Sequence, residues 1–475
     1  MKKQRKYIVK RVFSFALAIT MVLGMAALPS FAAVTAVYSE GRDAAHPAEA
    51  AITKVYRMPV GTPTPASKFT FTFEKAGMNT DNPNDPGDVI DDSAAAKNGM
   101  ADIPPVSVMF AAGEEPSGSA GGTFVDGDTK TVVKQTANFL DGIPSGAWGN
   151  KVGVYKYTVS EYLSPADFLN TSYITMLDSA KEGCVFSEAK YDVSVWVDEE
   201  IQGTTVVYYP KYIVVQINKD FIDEYYEGSD GGEKINPTPG GNNKTPVTTI
   251  EDGFSHVIFT NKYWKTDGGG TDKPGDSAMT VEKLVRGLGS IPSTKFDFTV
   301  KVTQSGAIPE TQTYHAMVFN KDGADVTDKA GVSLGTKGTI EFVSGIARTG
   351  IKLSDQDRLV FVDLHIGSDV EVFDAGMQYY TASYTSSFSQ TPNMVYTGIK
   401  DDGFGFPNAT DKGPHYTAAG ANVNKATFVN SRAGATPTGV NVDNLPYIVF
   451  LCVVFICFAG YMIYRYRKNF DFDAE

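Results

Sequence analysis

Apolar and polar residues alternate with a period of two along most of the chain. KFTFTFEK (68–75), VYKYTVSEY (154–162), YDVSVWV (191–197) and TTVVYYPKYIVVQI (204–217) read as strands with one face turned to a core. SHVIFTNKYW, STKFDFTVKV, GTIEFVSGI and DRLVFVDLHI continue the pattern, with the aromatic and β-branched residues that suit a pleated, half-buried surface. Between the two ends no stretch sustains a helical period. The pattern predicts an all-β protein built of antiparallel, immunoglobulin-like β-sandwiches.

The ends depart from it. A basic start, KKQRKYIVKR, leads into an apolar run from Val12 to about Leu28 and then PSFAA, the layout of a secretory signal peptide over residues 1–33. Leu445 to Tyr464 carries no charge and is long enough to cross a bilayer as a helix; RYRK follows, which predicts a cytoplasmic tail over 465–475. These readings place residues 34–444 outside the cell, secreted and held at the surface by a single C-terminal helix or by the cell wall.

The stretch KTDGGGTDKPGDS is a linker by composition, so the expected domains are 34–264 and 278–433, with 265–277 between them and a sorting region over 434–444. NTDNPNDPGDVIDDSAAAKNG (79–99) is acidic, but its carboxylates lack the spacing of a calcium loop and it reads as a solvated turn region. A net charge of -13 argues against nucleic acid as a partner. Of three cysteines, Cys452 and Cys457 fall in the apolar span, leaving Cys184 alone outside with no intrachain disulfide to make. The five histidines are scattered, and neither a metal nor a cofactor is called for.

The two expected domains repeat one another loosely. AITKVY, FTFTFEK, VYKYTVSEY and HVIFTNKYW stand in order in the first; TVEKLV, FDFTVKV, DVEVFD and ATFVNSR stand in order in the second. Each set offers a lysine in its first strand, a carboxylic acid in a middle strand and an asparagine in its last. A lysine amine held beside an asparagine amide in a dry core can attack its carbonyl carbon, expel ammonia and leave an amide cross-link. Burial disfavours the charged lysine and so frees its lone pair. A carboxyl raised in pKa by the same burial stays protonated, hydrogen-bonds to the amide carbonyl and shuttles protons. The expected sets are Lys54, Glu161 and Asn261, then Lys283, Asp374 and Asn430. In DVEVFD, Asp374 shares a face with Val370 and Val372 whereas Glu371 points the other way, so Asp374 is the first choice and Glu371 the reserve.

TKVY, FTFTFEK, YKYTVSEY and VIFTNKYW resemble the stations of the streptococcal-type pilin isopeptide linkage domain of Gram-positive surface pilins, over most of 52–263. Residues 279–432 resemble it more weakly, with aspartate where that family usually shows glutamate. The resemblance implies a lysine and an asparagine on first and last strands, joined with the help of an acid. It also gives meaning to Pro437, Thr438 and Gly439, which stand before the apolar span and basic tail. Sortases cut such a motif between Thr and Gly, and the short x-Pro-Thr-Gly form is similar to that of pilins in this family. VVYYPK ends in Lys211 and resembles the pilin acceptor motif, with Lys244 as second candidate. The expected function is a structural, non-enzymatic surface protein, a sortase-assembled pilin subunit. Its expected partners are sortase, other pilin subunits or peptidoglycan, and the membrane before sorting. The alternative is a monomeric wall-anchored adhesin that binds a host ligand through insertions within 64–146.

Overall fold

The computed structural model describes residues 37–80, 90–118, 121–162, 181–241, 249–388, 391–397, 415–417, 424–434 and 445–470. The expected signal peptide, the sorting motif Pro437–Gly439 and Lys244 lie outside these residues.

The chain is all-β, and each of the period-two segments forms a strand. In Ser67–Asn79, Phe69 and Phe71 are buried while Lys68, Thr70 and Thr72 are partly exposed, the expected consequence of alternate side chains pointing to opposite faces. Residues 37–265 form two sheets. One runs Ser39–Glu40, Thr205–Ile217, Lys190–Gln202, Gly153–Glu161, Ser67–Asn79, Val106–Phe110, with Lys234–Ile235 added on Thr205–Ile217. The other runs Gly121–Asp126, Thr129–Gln135, Thr53–Pro59, Ile258–Lys265, Glu182–Val185. Their facing sides meet in a core of Tyr56, Phe71, Val159, Tyr191 and Phe259.

Residues 279–431 repeat the arrangement. One sheet runs Ile340–Val343, Thr313–Phe319, Arg358–Phe361, Met279–Arg286, Lys425–Ser431, Thr381–Phe388, Thr391–Thr397; the other runs Ala347–Leu353, Phe296–Thr303, Asp369–Asp374, His415–Thr417. A separate core of Val281, Phe298, Phe361, Val372 and Phe428 lies between them.

Most ladders are antiparallel, as alternation with tight turns favours. The exception is the same in both halves. Thr53–Pro59 pairs in parallel with Ile258–Lys265, and Met279–Arg286 pairs in parallel with Lys425–Ser431. In each half the first long strand, which in the first half follows only the two-residue Ser39–Glu40, and the last strand run side by side in one direction, bringing the chain in at one end of a sandwich and out at the other.

The glycine-rich run 265–277 is not a free tether. Thr266 bridges His365, Asp267 N–H donates to the Leu364 carbonyl at 2.7 Å, and Gly270 N–H donates to the Val362 carbonyl at 2.9 Å. Gly268 has φ +97°, and a Cβ there would fall 2.2 Å from the Val362 carbonyl oxygen, so the close approach requires glycine. Gly306 N–H donates to the Asp128 carboxylate at 2.8 Å, a second tie between the halves. At the C-terminal end, Leu445–Phe470 is a helix whose residues Tyr447–Arg467 are long and apolar enough to cross a membrane.

Candidate functional site

The parallel pair of first and last strands sets the register at each site. Lys54 lies opposite Phe259, and Asn261 follows two positions on, so all three side chains share the core face. In the second half Lys283 lies opposite Phe428, and Asn430 again follows two positions on. The acid comes from the facing sheet. Glu161 is paired with Phe71 across one ladder, and Asp374 with Phe298 across the corresponding one.

Aromatic rings line both places. Phe71 meets Phe259 with ring centroids 4.9 Å apart, and Phe298 meets Phe428 at 5.4 Å. Lys54 Nζ stands 4.5 Å from the centre of the Phe69 ring, and Lys283 Nζ stands 4.0 Å from that of Phe296. The rings keep water away from the amines. Lys54, Asn261, Lys283, Asp374 and Asn430 are 0 % exposed and Glu161 is 7 % exposed, which rules out a solvated role for any of the six.

At the first site Lys54 Nζ donates to Glu161 Oε2 at 2.6 Å, and Asn261 Nδ2 donates to Glu161 Oε1 at 2.9 Å. Ser187 N–H donates to Asn261 Oδ1 at 2.8 Å. A backbone N–H can only donate, so it fixes the amide orientation: oxygen toward Ser187, nitrogen toward Glu161. This differs from the sequence expectation, in which the acid bonds the amide carbonyl; here it spans the amine and the amide nitrogen, and a backbone group takes the carbonyl. Burial pulls Lys54 below the ordinary lysine range, opposed by the Glu161 charge. Burial likewise pushes Glu161 above the ordinary carboxylate range, opposed by Lys54. Both shifts favour a neutral amine beside a neutral acid, which holds the same number of protons as the ion pair without burying two charges.

At the second site Lys283 Nζ donates to Asp374 Oδ2 at 2.6 Å, and burial again lowers the lysine pKa. Asp374 Oδ1 accepts from Gly376 N–H at 2.9 Å rather than from the asparagine. Asn430 Nδ2 and Oδ1 are buried with no hydrogen-bond partner among the described residues. An unpartnered buried amide costs on the order of 1–3 kcal/mol and calls for an explanation. Glu371, the reserve acid, faces away and pairs with Lys301 at 3.0 Å.

Alternation alone did not point to Ser187, Asp223 or the ring pairs. The phenylalanines were visible as FTF and FDF, yet their role depends on facing strands. Lys211 sits where the register shifts between Pro210 and Tyr212, and its Nζ donates to the Gly41 carbonyl at 2.8 Å. Proline and bulge coincide there because proline has no N–H for the ladder. Cys184 is near the first site, and burial holds its thiol well above its ordinary range.

No protein-family model matches the chain, and no curated protein matches it. Among solved structures, the major pilin from Streptococcus pyogenes is similar over 81% of this chain and 99% of its own, at 18% identity and a TM-score of 0.28. The T3.2 major pilin protein from the same organism covers 84% of this chain and 100% of its own, at 15% identity and a TM-score of 0.27. A pilus-presented adhesin covers 56% of this chain and 38% of its own, at 13% identity and a TM-score of 0.20. Likenesses this distant assign no function.

Proposed function

We propose that this chain is a structural surface protein, a sortase-assembled pilin subunit whose two sandwiches are each closed by a self-formed Lys–Asn amide bond. The observation that carries the reading is the duplicated set: lysine and asparagine at one register offset on parallel first and last strands, with an acid from the facing sheet bonded to the lysine. Lysine, glutamate and aspartate are almost never fully buried unless paired, and here a lysine and an acid are paired and buried at equivalent positions in both halves.

The reaction is balanced on these residues. The neutral Lys54 Nζ attacks Asn261 Cγ, and the amide oxygen takes up the displaced electron pair. Glu161 gives its proton to Nδ2 through Oε1 and takes one from Nζ through Oε2, ending as it began. The Cγ–Nδ2 bond breaks, ammonia leaves, and an Nζ–Cγ amide remains. Each site reacts once on itself, so there is no turnover. At the second site Lys283 Nζ attacks Asn430 Cγ in the same way and Asp374 Oδ2 takes the Nζ proton. Asp374 must turn its Oδ1 from the Gly376 N–H to the Asn430 nitrogen to give up its own proton, and loss of ammonia would relieve that unpartnered nitrogen.

Bonds at these positions link the first strand of a sandwich to its last. A pull along the chain would then pass through the amide and not through the hydrogen bonds of the sheets, in a chain that expects no extracellular disulfide. The order of Pro437, Thr438, Gly439, the apolar helix and the basic residues after it supports sortase attachment. Lys211 is the proposed acceptor for polymerisation.

Intact-mass measurement of the folded ectodomain tests the cross-links: the expected mass is below the sequence mass by two ammonia losses, and the full sequence mass would overturn the reading. Wall extracts test assembly. A ladder that disappears in Lys211→Ala and a Thr438→Ala variant retained in the membrane are expected; wall-linked single subunits alone would favour a monomeric adhesin.

A further inference from the structure

The two sites share a lysine, an acid, an asparagine and a ring pair, yet among the described residues only Asn261 has its carbonyl oxygen held. Its partner is the Ser187 N–H at 2.8 Å. That segment is not left to find its own position. Ser187 Oγ donates to Asp223 Oδ2 at 2.6 Å, and the same oxygen accepts the Thr260 N–H at 2.8 Å. Thr260 is the residue before Asn261. Asp223 therefore ties the Ser187 segment to the asparagine strand, and its other oxygen accepts from Tyr225 N–H at 3.0 Å. Ser187 and Asp223 are both buried, so the ring of bonds is shielded from water.

We infer that the Ser187 N–H is a catalytic oxyanion donor for closure of the first cross-link, and that Asp223 is the positioning residue that aims it. The inference rests on the proposed amide-forming reaction and assigns a group to a step left open there. When Nζ adds to Asn261 Cγ, negative charge develops on Oδ1, and a preorganised donor is worth most where charge appears in a dry site. The N–H neither gains nor loses an atom: it holds the oxygen while the tetrahedral carbon forms and while the carbonyl reforms as ammonia leaves. Asn430 Oδ1 has no donor among the described residues. The first bond should therefore close before the second, although both chains of events begin in the same molecule.

The test follows both bonds in freshly synthesised full-length ectodomain. Cell-free translation is sampled over time, quenched in denaturant, and the Lys54–Asn261 and Lys283–Asn430 peptides are resolved by mass spectrometry. In wild type the first linkage is expected to appear ahead of the second. Replacing residue 187 by the α-hydroxy acid of serine exchanges the N–H for an ester oxygen while keeping the side chain, and is expected to slow the first linkage by about 100-fold, the loss typical of one oxyanion donor. Ser187→Ala and Asp223→Ala keep the N–H but release its aim, and a loss of about tenfold is expected from that donor's misplacement. Ser187→Thr keeps both hydroxyl and N–H and should restore the wild-type rate. The second linkage, formed in the same chains, should keep its rate throughout, which a general loss of folding would not allow.

First-linkage kinetics unchanged by the hydroxy-acid replacement would overturn the inference and leave the cross-link standing. Wild-type chains that form neither bond would instead overturn the reaction itself. If the substituted chains do not fold, hydrogen exchange decides: in unreacted Glu161→Ala protein the Ser187 amide should exchange slowly, and adding Asn261→Ala should speed it. Fast exchange in Glu161→Ala alone would overturn the inference.

Discussion

The two buried sites agree in everything that strand register controls and differ in what loops and side-chain length control. Lysine and asparagine keep the same offset across the parallel pair, and the rings Phe71 and Phe259 reappear as Phe298 and Phe428. Glu161 reaches both nitrogens of its site, whereas the shorter Asp374 reaches the lysine with one oxygen and its own Gly376 N–H with the other. Asn261 is held at both ends of its amide, and Asn430 at neither among the described residues. A sandwich can thus supply the reacting partners through its ladder alone. How well they are poised is a separate, local property.

The largest expected effect comes from removing one acid at a time. Glu161→Ala should abolish the first bond and leave the second, and Asp374→Ala should do the reverse. Held at its ends, each sandwich lacking its bond should lengthen under a force that the bonded one withstands. Equal extension of bonded and unbonded sandwiches in single-molecule pulling would break the comparison, because the path of force would not run through the amides.

Next in size is the stability carried by the closed loop. A bond from Lys54 to Asn261 or from Lys283 to Asn430 encloses nearly a whole sandwich, which by analogy with disulfides removes about 5 kcal/mol of freedom from the unfolded chain. Denaturant melts of the two acid-to-alanine variants should each show a loss of that order in the affected half. A loss confined to one half would mean that only that half is cross-linked.

The rings come third. Phe259→Ala and Phe428→Ala should each cost about 3–5 kcal/mol by opening a cavity beside the lysine, and should also admit water to the amine. A drop in folding stability with an unchanged rate of ammonia loss would show that the rings pack without drying the site.

A pH series sharpens the comparison further. In Glu161→Ala the lysine remains an unreacted, buried amine without its acid. Its folded pKa lies below the ordinary value of 10.5, so the unfolded chain binds more protons in the window between the two. Stability of that variant should rise with pH through this window, and the melting temperature should climb accordingly. A wild-type chain in which Lys54 is joined to Asn261 as proposed should lack that slope. Parallel slopes in both proteins would argue against the bond.

The smallest effect belongs to Glu371→Gln. Its pair with Lys301 is partly exposed, so the change should cost under about 1 kcal/mol and leave the second bond's yield unaltered. Loss of that bond would move the acid's role from Asp374 to Glu371.

Much of this was legible in the chain. Alternation is a property of each strand alone, and it turned Glu161 inward beside Tyr157 and Val159, and Asp374 inward beside Val370 and Val372. The order of lysine, acid and asparagine was visible twice because the two halves repeat. Composition marked 265–277 as a linker but could not show that Gly268 is needed there for close backbone approach to Val362.

Face parity, then, came from the sequence by itself, since side chains two residues apart must point the same way whatever surrounds them. The tertiary structure alone decided that first and last strands pair in parallel with a two-residue offset between lysine and asparagine. It alone brought the acid across from the facing sheet, seated phenylalanine rings around the amines, and aimed the Ser187 N–H at one asparagine and not the other. Those choices depend on contacts between segments that lie more than two hundred residues apart, such as Thr53 Oγ1 on the Ser255 carbonyl across 202 positions. No local period encodes such contacts, because register and loop placement are settled only when separate strands compete to fill one core.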